Sequence, residues 1–142
     1  MDCEFCNPES QGLKIKECRY WTIYLHPNQC YLGRCIIKLN RHAEDFFDIE
    51  KNELDEVFEI AKHLRNAVKE LFGAAMFNYA ALGNIIRHVH LHVIPRYEGQ
   101  RAFAGIVFED KRFGDNYAPY DKGFKVPKEL LMKLRGEIGS RL

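Results

Sequence analysis

Residues 88–95 carry the most reactive side chains of this chain, in the order His-Val-His-Leu-His-Val-Ile-Pro. Successive side chains of a β-strand point to opposite faces, so His88, His90 and His92 are predicted to share one face of a strand that ends at Pro95. Imidazole titrates near neutral pH and can act as nucleophile, acid, base or metal ligand. The alternative is a half-exposed strand that happens to carry histidine, but three in strict alternation, half of the six in the chain, favour a site.

A second group of reactive side chains is the Cys3-x-x-Cys6 pair near the N-terminus. Structural zinc requires four ligands, and this pair supplies only two. The pair alone is therefore also compatible with a redox pair or with two unrelated thiols. Cys18, Cys30 and Cys35 are predicted to be ordinary core or strand residues.

Length and composition indicate one globular domain. The 142 residues are 46% apolar and 29% charged, enough to bury a substantial core. A net charge of +1 gives no electrostatic case for nucleic acid as the main partner. No apolar run is long enough to cross a membrane, and the first residues lack the pattern of a signal peptide. We therefore expect a cytoplasmic protein with reduced cysteines, and neither nucleic acid nor a membrane as partner.

The elements that must position these residues follow from hydrophobic periodicity. Residues 20–25 and 34–39 alternate between apolar and polar side chains and predict two half-buried strands, with a turn at 26–29. Apolar residues three and four apart predict a long helix over 50–72, with Gly73 as its C-cap. A strand over 76–81 and a turn at Gly83-Asn84 then precede the histidine strand.

The chain beyond residue 96 is less regular. Residues 96–126 hold many aromatic residues and predict either a surface loop with a short edge strand near 106–108, or a subunit contact or pocket wall. We expect Phe103, Phe108 and Tyr117 near a partner chain or the pocket rather than in the core. Pro127 is predicted to begin a last helix. Short strands around one long helix indicate an α+β fold with an antiparallel sheet.

The histidine strand resembles the signature of the histidine triad (HIT) superfamily, in which histidines alternate with hydrophobic residues. The segment 32–42, with its glycine, strand, basic residues and His42, is also similar to the family, as are Asn78, the Gly83-Asn84 turn and Pro95-Arg96. The resemblance extends over residues 3–96. It implies a single histidine triad domain over 1–142, with an N-terminal segment 1–10 and a C-terminal extension 97–142. It also implies a sheet of about five strands, one long and one C-terminal helix, and sheets paired in a homodimer.

The resemblance implies covalent nucleotidyl transfer, in which His90 attacks the α-phosphorus of a nucleotide to form a nucleotidyl-histidine. Neutral imidazole is a good nucleophile, and the phosphoramidate that it forms is labile. His92 would bind a nonbridging oxygen or handle the leaving-group proton. Related uridylyltransferases have glutamine in place of His92, so histidine here favours the hydrolase branch.

The resemblance also implies ligands for a nucleotide and for a metal. Family members often bind ribose with Asp or Asn before the glycine strand, a position that His26 occupies here, and Asn84 stands where glutamine is usual. The expected nucleotide-binding residues are His26, Asn28, Asn78, Asn84 and His92. Many members with a Cys-x-x-Cys pair bind structural zinc, through positions that correspond here to Cys3, Cys6, His42 and His88.

Three hypotheses follow for the function. The first is hydrolysis at the α-phosphate of a dinucleoside polyphosphate, a nucleoside phosphoramidate or a similar adenylyl conjugate. The second is a phosphorylase or transferase that uses the same intermediate with phosphate as acceptor. The third is a non-catalytic, zinc-stabilised protein that only binds nucleotide. Turnover of an adenylyl conjugate separates the third hypothesis from the other two.

Overall fold

One antiparallel sheet organises the molecule. The computed structural model describes residues 3–7 and 12–142, so the predicted segment 1–10 is described only at 3–7. Five strands follow one another across the sheet in the order β1-β2-β3-β5-β4. The strands are β1 (Lys14–Glu17), β2 (Trp21–Leu25), β3 (Cys35–Leu39), β4 (Met76–Ala80) and β5 (His90–Arg96). The predicted α+β class and five-stranded antiparallel sheet are confirmed.

The two faces of this sheet have different chemistry because the side chains alternate. Trp21, Ile23, Ile37, Leu39 and Val93 point to one face and are almost completely buried. The opposite face carries the polar alternates of the same strands. The strand register places Lys38 opposite His90 and Ile36 opposite His92 on this polar face.

Two helices cover the apolar face. The first, α1 (Lys51–Phe72), is capped by Glu50 and ends at Gly73, whose φ of 69° is the left-handed conformation of a glycine C-cap. The second, α2 (Lys128–Gly139), follows Pro127 and buries Leu130 and Leu134. Both predicted helices are therefore present to within a residue or two. Within the described residues, neither helix is long and apolar enough to cross a membrane.

The histidine strand differs from its prediction at both ends. β5 begins at His90, and His88 lies in the bend before it. Pro95 does not end the strand, because β5 continues to Arg96. The last pair between β5 and β3 is Val93 with Cys35, so Pro95 lies where β5 pairs with β4 alone. A residue without an N–H is tolerated there, since one side of the strand no longer forms a ladder.

The aromatic-rich region after β5 packs onto the same core. Strands β6 (Arg101–Phe103) and β7 (Ile106–Phe108) pair as a hairpin. Phe108 is buried in the core, and Phe103 packs edge-on against Phe72. The expectation that these two residues lie outside the core was wrong, because the hairpin folds back over the C-terminal end of α1. Tyr117, the third residue of that expectation, lines a cleft.

Candidate functional site

A cleft of about 920 Å³ lies over the polar face of the sheet. Its floor is formed by the outward side chains of β2, β3 and β5, and its walls come from the N-terminal segment, residues 82–86 and residues 117–122. Among the residues that line it are Phe5, Tyr24, His26, Arg34, Ile36, Lys38, Asn84, His90, His92, Tyr117 and Tyr120. The fold thus brings His90 and His92 together with charged and aromatic side chains from distant parts of the chain.

His90 is held in one orientation and one tautomer. Its Nδ1–H donates to the main-chain carbonyl oxygen of His88 at 2.6 Å, which leaves Nε2 unprotonated in the neutral ring. Burial lowers the pKa of His90, so the ring is neutral at pH 7. A buried, neutral and oriented imidazole at the floor of a cleft is suited to act as a nitrogen nucleophile.

His92 and His26 continue the row of imidazoles beyond His90. The ring centroid of His92 lies 5.0 Å from that of His90 and 6.1 Å from that of His26. Burial, His90 and Arg34 lower the pKa of His92 to about 4, and burial and then Arg34 lower the pKa of His26 to about 3. Within the described residues, the buried Nδ1 of His92 has no hydrogen-bond partner.

The loop between β2 and β3 fixes the backbone of His26 and Arg34. The buried side chain of Gln29 donates to the carbonyl oxygens of both residues, and its own oxygen accepts from the Gly33 N–H at 2.8 Å. Gly33 has a φ of +89°, and a Cβ there would lie 2.8 Å from Val68 of α1. This position therefore requires glycine, and the chain turns tightly just before Arg34.

A buried arginine holds the segment that precedes the wall formed by residues 117–122. Arg96 pairs with Asp110 at 2.7 Å and donates to the carbonyl oxygens of Arg112 and Asp115. The hydroxyl of Tyr31 donates to the carbonyl oxygen of Tyr117. The Arg96 contacts hold residues 110–115 against β5, and the Tyr31 contact joins the wall to the loop between β2 and β3.

A second cluster lies at the other end of the histidine row. The ligand atoms of Cys3, Cys6, His42 and His88 all lie within 4.8 Å of one another. Nε2 of His88 donates to the carbonyl oxygen of Leu39 at 2.7 Å, which leaves its Nδ1 lone pair directed at the cluster. These four side chains could hold a metal ion.

Phe5 connects this cluster with the cleft. It lies between Cys3 and Cys6 in sequence, and its ring packs edge-on against His90 with 4.8 Å between the centroids. Its carbonyl oxygen accepts from the Lys38 ammonium at 2.7 Å. The segment that carries two of the possible metal ligands therefore also forms a wall of the cleft beside His90.

Of the three asparagines predicted to bind a nucleotide, the fold places one in the cleft. Asn84 lines the cleft with His26 and His92. Asn78, on β4, instead accepts from Arg96 of β5. Asn28 donates to the carbonyl oxygen of Asp121 and accepts from the Cys30 N–H. Neither Asn28 nor Asn78 lines the cleft, and both support the loops around it.

The sequence reasoning did not single out Arg34, Lys38, Phe5 or Tyr120 as site residues. The alternation of β3 puts Arg34 and Lys38 on its polar face, but only the register with β5 shows that this face adjoins the histidines. Phe5 and Tyr120 come from irregular segments, and no sequence periodicity indicates their position. Arg34 stacks on the Tyr120 ring, with 4.5 Å between its guanidinium carbon and the ring centroid.

Comparison with known proteins gives consistent matches. A family model for the HIT domain matches residues 7–99, more than half of the chain. An uncharacterized HIT-like protein of Mycoplasma genitalium is 26% identical over 106 residues, which are 71% of this chain and 75% of that protein.

Two solved structures share the fold. One is a hypothetical histidine triad nucleotide-binding protein from Sulfolobus tokodaii, with a TM-score of 0.76 and 20% identity over 98% of this chain and 91% of that one. The other is a Zn-bound histidine triad family protein from Mycobacterium smegmatis, with a TM-score of 0.64 and 20% identity over 97% and 94%.

Proposed function

Because the chain belongs to the HIT domain family, we propose that it is a nucleotidyl hydrolase with a covalent nucleotidyl-histidine intermediate. The substrate is an adenine nucleotide conjugate that is cleaved at its α-phosphate, such as a dinucleoside polyphosphate or a nucleoside phosphoramidate. One observation carries the proposal: His90 is buried, neutral and held by the His88 carbonyl, with Nε2 free to attack.

In the first step, Nε2 of His90 forms a bond to the α-phosphorus while the bond from phosphorus to the leaving group breaks. The leaving group departs with the bonding electron pair and takes up a proton. His92 lies beside His90 and is the nearest group that can hydrogen-bond a nonbridging oxygen or handle that proton. In the second step, water attacks phosphorus and gives up a proton to His92 or to bulk water. The P–N bond breaks with its electron pair returning to Nε2, and His90 returns to its neutral form.

The side chains around the cleft suit a nucleotide. Tyr24, Ile36 and Tyr117 supply apolar surface, while His26 and Asn84 supply polar atoms for the sugar or the base. The Sulfolobus tokodaii protein is described as nucleotide-binding, which agrees with this assignment. Asn28 and Asn78 are left out of the proposed contacts because their side chains are used by the protein itself.

Zinc is the metal that we propose for the cluster of Cys3, Cys6, His42 and His88. Tetrahedral zinc with bonds of about 2.3 Å to sulfur and about 2.0–2.1 Å to nitrogen keeps neighbouring sulfur and nitrogen atoms about 3.5 Å apart and two nitrogens about 3.3 Å apart. The corresponding S–N distances here are 3.4–3.5 Å, and the two Nδ1 atoms lie 3.2 Å apart. The donor set therefore fits structural zinc, which would tie the N-terminal segment to the start of β5.

A homodimer is part of the proposal. β4 is an edge strand of the sheet and exposes Met76 and Tyr79, and α1 exposes Leu54 and Phe58. Pairing about a two-fold axis would cover these apolar side chains. Sedimentation at micromolar concentration should give the mass of two chains, and a single-chain mass there would contradict the dimer.

The test of the function is turnover of a panel of adenylyl conjugates, with and without inorganic phosphate, with products identified by mass. We expect adenosine monophosphate as product and, on rapid quenching, a protein whose mass has grown by one adenylyl group. That adduct should be absent from His90→Asn. Phosphorolysis products would point to the transferase alternative, and binding without turnover would contradict the enzyme.

A further inference from the structure

Arg34 is a buried cation, and the described part of the chain supplies no hydrogen-bond acceptor to two of its nitrogen atoms. Arg34 is only 2% exposed, and its Nε and Nη1 are buried with no hydrogen-bond partner in residues 3–7 and 12–142. The described residues offer it no ion pair, and its side chain contacts the face of Tyr120 instead. Guanidinium is charged in proteins, so this buried positive charge has no carboxylate partner within the described residues.

The other buried arginine, Arg96, has hydrogen-bond partners for its side chain. Arg96 is equally buried, but it pairs with Asp110 and also donates to Asn78 and to two carbonyl oxygens. A buried charge without a partner destabilises the folded state strongly, and proteins normally pair it. Arg34 differs in that it opens into the cleft, where a ligand can be its partner.

The neighbours of Arg34 add donors rather than acceptors. Nδ1 of His26 accepts the Asn28 N–H, so the ring proton of neutral His26 is on Nε2. This end of the cleft therefore presents N–H groups of Arg34 and His26, and the one carboxylate among the described lining residues is Glu4, next to Phe5. A ligand group with several acceptor oxygens and negative charge complements this arrangement.

The position of Arg34 beside the sheet separates it from Nε2 of His90, the proposed attacking atom. Lys38 faces His90 and Ile36 faces His92 across the β3–β5 pair, and Arg34 comes two residues further along the same face. Two residues of strand span about 6.6 Å. Arg34 thus enters the cleft from beyond His92, on the side away from Lys38.

We propose that Arg34 binds a second phosphate group of the substrate, distinct from the α-phosphate attacked by His90. This inference rests on the proposed function and narrows its substrate class to nucleotides with an additional phosphate, rather than adenylyl conjugates of uncharged amines. The second phosphate can belong to the leaving polyphosphate chain or to the ribose. Both present the same chemistry to the guanidinium, a tetrahedral group with several anionic oxygens.

Equilibrium binding to non-hydrolysable ligands tests the proposal. The ligands are adenosine monophosphate, α,β-methylene adenosine diphosphate, adenosine 2′,5′-bisphosphate and adenosine 3′,5′-bisphosphate, titrated calorimetrically into wild type and Arg34→Gln. We expect wild type to bind the diphosphate or one bisphosphate about 10- to 100-fold more tightly than the monophosphate, since charge-assisted hydrogen bonds contribute on that scale. Arg34→Gln should lose this gain and keep its affinity for the monophosphate. The ligand that shows the gain identifies the source of the phosphate.

Two further variants serve as controls. Arg34→Lys keeps the charge without the planar fork and should retain only part of the gain. Lys122→Gln removes an exposed positive charge from the cleft rim and should leave the gain in place. The melting temperature of Arg34→Gln should be no lower than that of wild type, because the substitution removes an unpaired buried charge.

The results separate the two proposals. Equal losses for the monophosphate and the diphosphate in Arg34→Gln would place Arg34 at the α-phosphate and overturn the inference. An equal loss in Lys122→Gln would reduce the effect to general electrostatics and also overturn it. If wild type binds none of the four nucleotides, the proposed function itself fails.

Discussion

His88 and His90 are two residues apart, yet they belong to two clusters of opposite character. Around His88 the donor atoms of Cys3, Cys6 and His42 converge within 4.8 Å, and the remaining ring nitrogen of His88 is hydrogen-bonded to Leu39. Around His90 the cleft is wide, and buried nitrogen atoms of Arg34 and His92 have no hydrogen-bond partner among the residues that the structure describes.

We interpret the cluster around His88 as stabilising the fold and the residues around His90 as binding a ligand. Closely converging donors can be satisfied by a single ion, which stabilises the fold. Buried polar atoms without partners reduce stability by about 1–3 kcal/mol each, so their presence in a cleft indicates atoms kept for a ligand. The predictions below alter one cluster at a time and ask whether the other responds.

The largest effect is expected from His90→Asn. Without Nε2 of His90 no covalent intermediate forms, so kcat/KM should fall by several orders of magnitude in steady-state assays. Metal content and melting temperature should stay close to wild type, because His90 contributes no atom to the metal-binding cluster of Cys3, Cys6, His42 and His88. Hydrolysis at a near-normal rate would remove His90 from the mechanism, and loss of metal would show that the two clusters are not separate.

Cys3→Ser should remove the metal and lower the melting temperature by several degrees. Elemental analysis should find about one zinc per chain in wild type and close to none in the variant, since thiolate is the stronger ligand. Cys18→Ser is the matched control, because Cys18 is half-buried outside the cluster and should keep the metal. A Cys3→Ser protein with full zinc content would show that the four residues are not the ligands.

The metal cluster illustrates what a sequence with a recognisable family pattern can predict. The sheet, the helices and the convergence of Cys3, Cys6, His42 and His88 follow from periodicity together with the resemblance to the histidine triad superfamily. The resemblance supplied the pairing of distant segments, which local patterns do not encode. The helix bounds agree to within a residue or two because α1 has clear capping residues.

The cleft illustrates what could not be predicted. Arg34 and Lys38 became site residues only through the register between β3 and β5, which depends on tertiary packing. Asn78 was expected at the nucleotide but pairs with Arg96, because it lies opposite Ile94, further along the face of His90 and His92 than the cleft extends. Phe108 was expected near a partner chain or the pocket and instead lies in the core, since hydrophobicity alone does not reveal which surface an aromatic residue packs against.

The pH dependence of stability should report on the cleft residue His92. Folding lowers the pKa of His92 from about 6.5 to about 4, mainly by burial. Between pH 6.5 and pH 4 the His92 imidazole is protonated in the unfolded chain but stays neutral in the folded protein. The free energy of unfolding therefore decreases as the pH falls from 6.5 towards 4.

Urea unfolding at pH 7.5 and pH 5.0 measures this loss by comparing wild type with His92→Gln. Wild type should lose about 2 kcal/mol more than the variant between the two values, as the pKa difference requires. Both proteins contain the metal cluster, so its own pH dependence cancels in the difference. Equal losses would mean that His92 is not a buried neutral imidazole.

The smallest effect is expected at the residue that joins the two clusters. Phe5 packs against His90 and accepts a hydrogen bond from Lys38 through its carbonyl oxygen, so its backbone contact persists when the ring is removed. Aromatic pairs of this kind contribute about 0.5–1.5 kcal/mol, which corresponds to a change of about two- to tenfold.

Phe5→Ala should therefore lower kcat by about two- to tenfold while the zinc content stays at one per chain. Phe47→Ala, at a phenylalanine that is 95% exposed and outside both clusters, should leave kcat and zinc content unchanged. Unchanged turnover in Phe5→Ala would mean that the metal-binding segment only covers His90. Reduced turnover with full metal content would mean that the segment orients His90. The Phe5 ring would then be the contact through which the metal-binding segment affects the cleft.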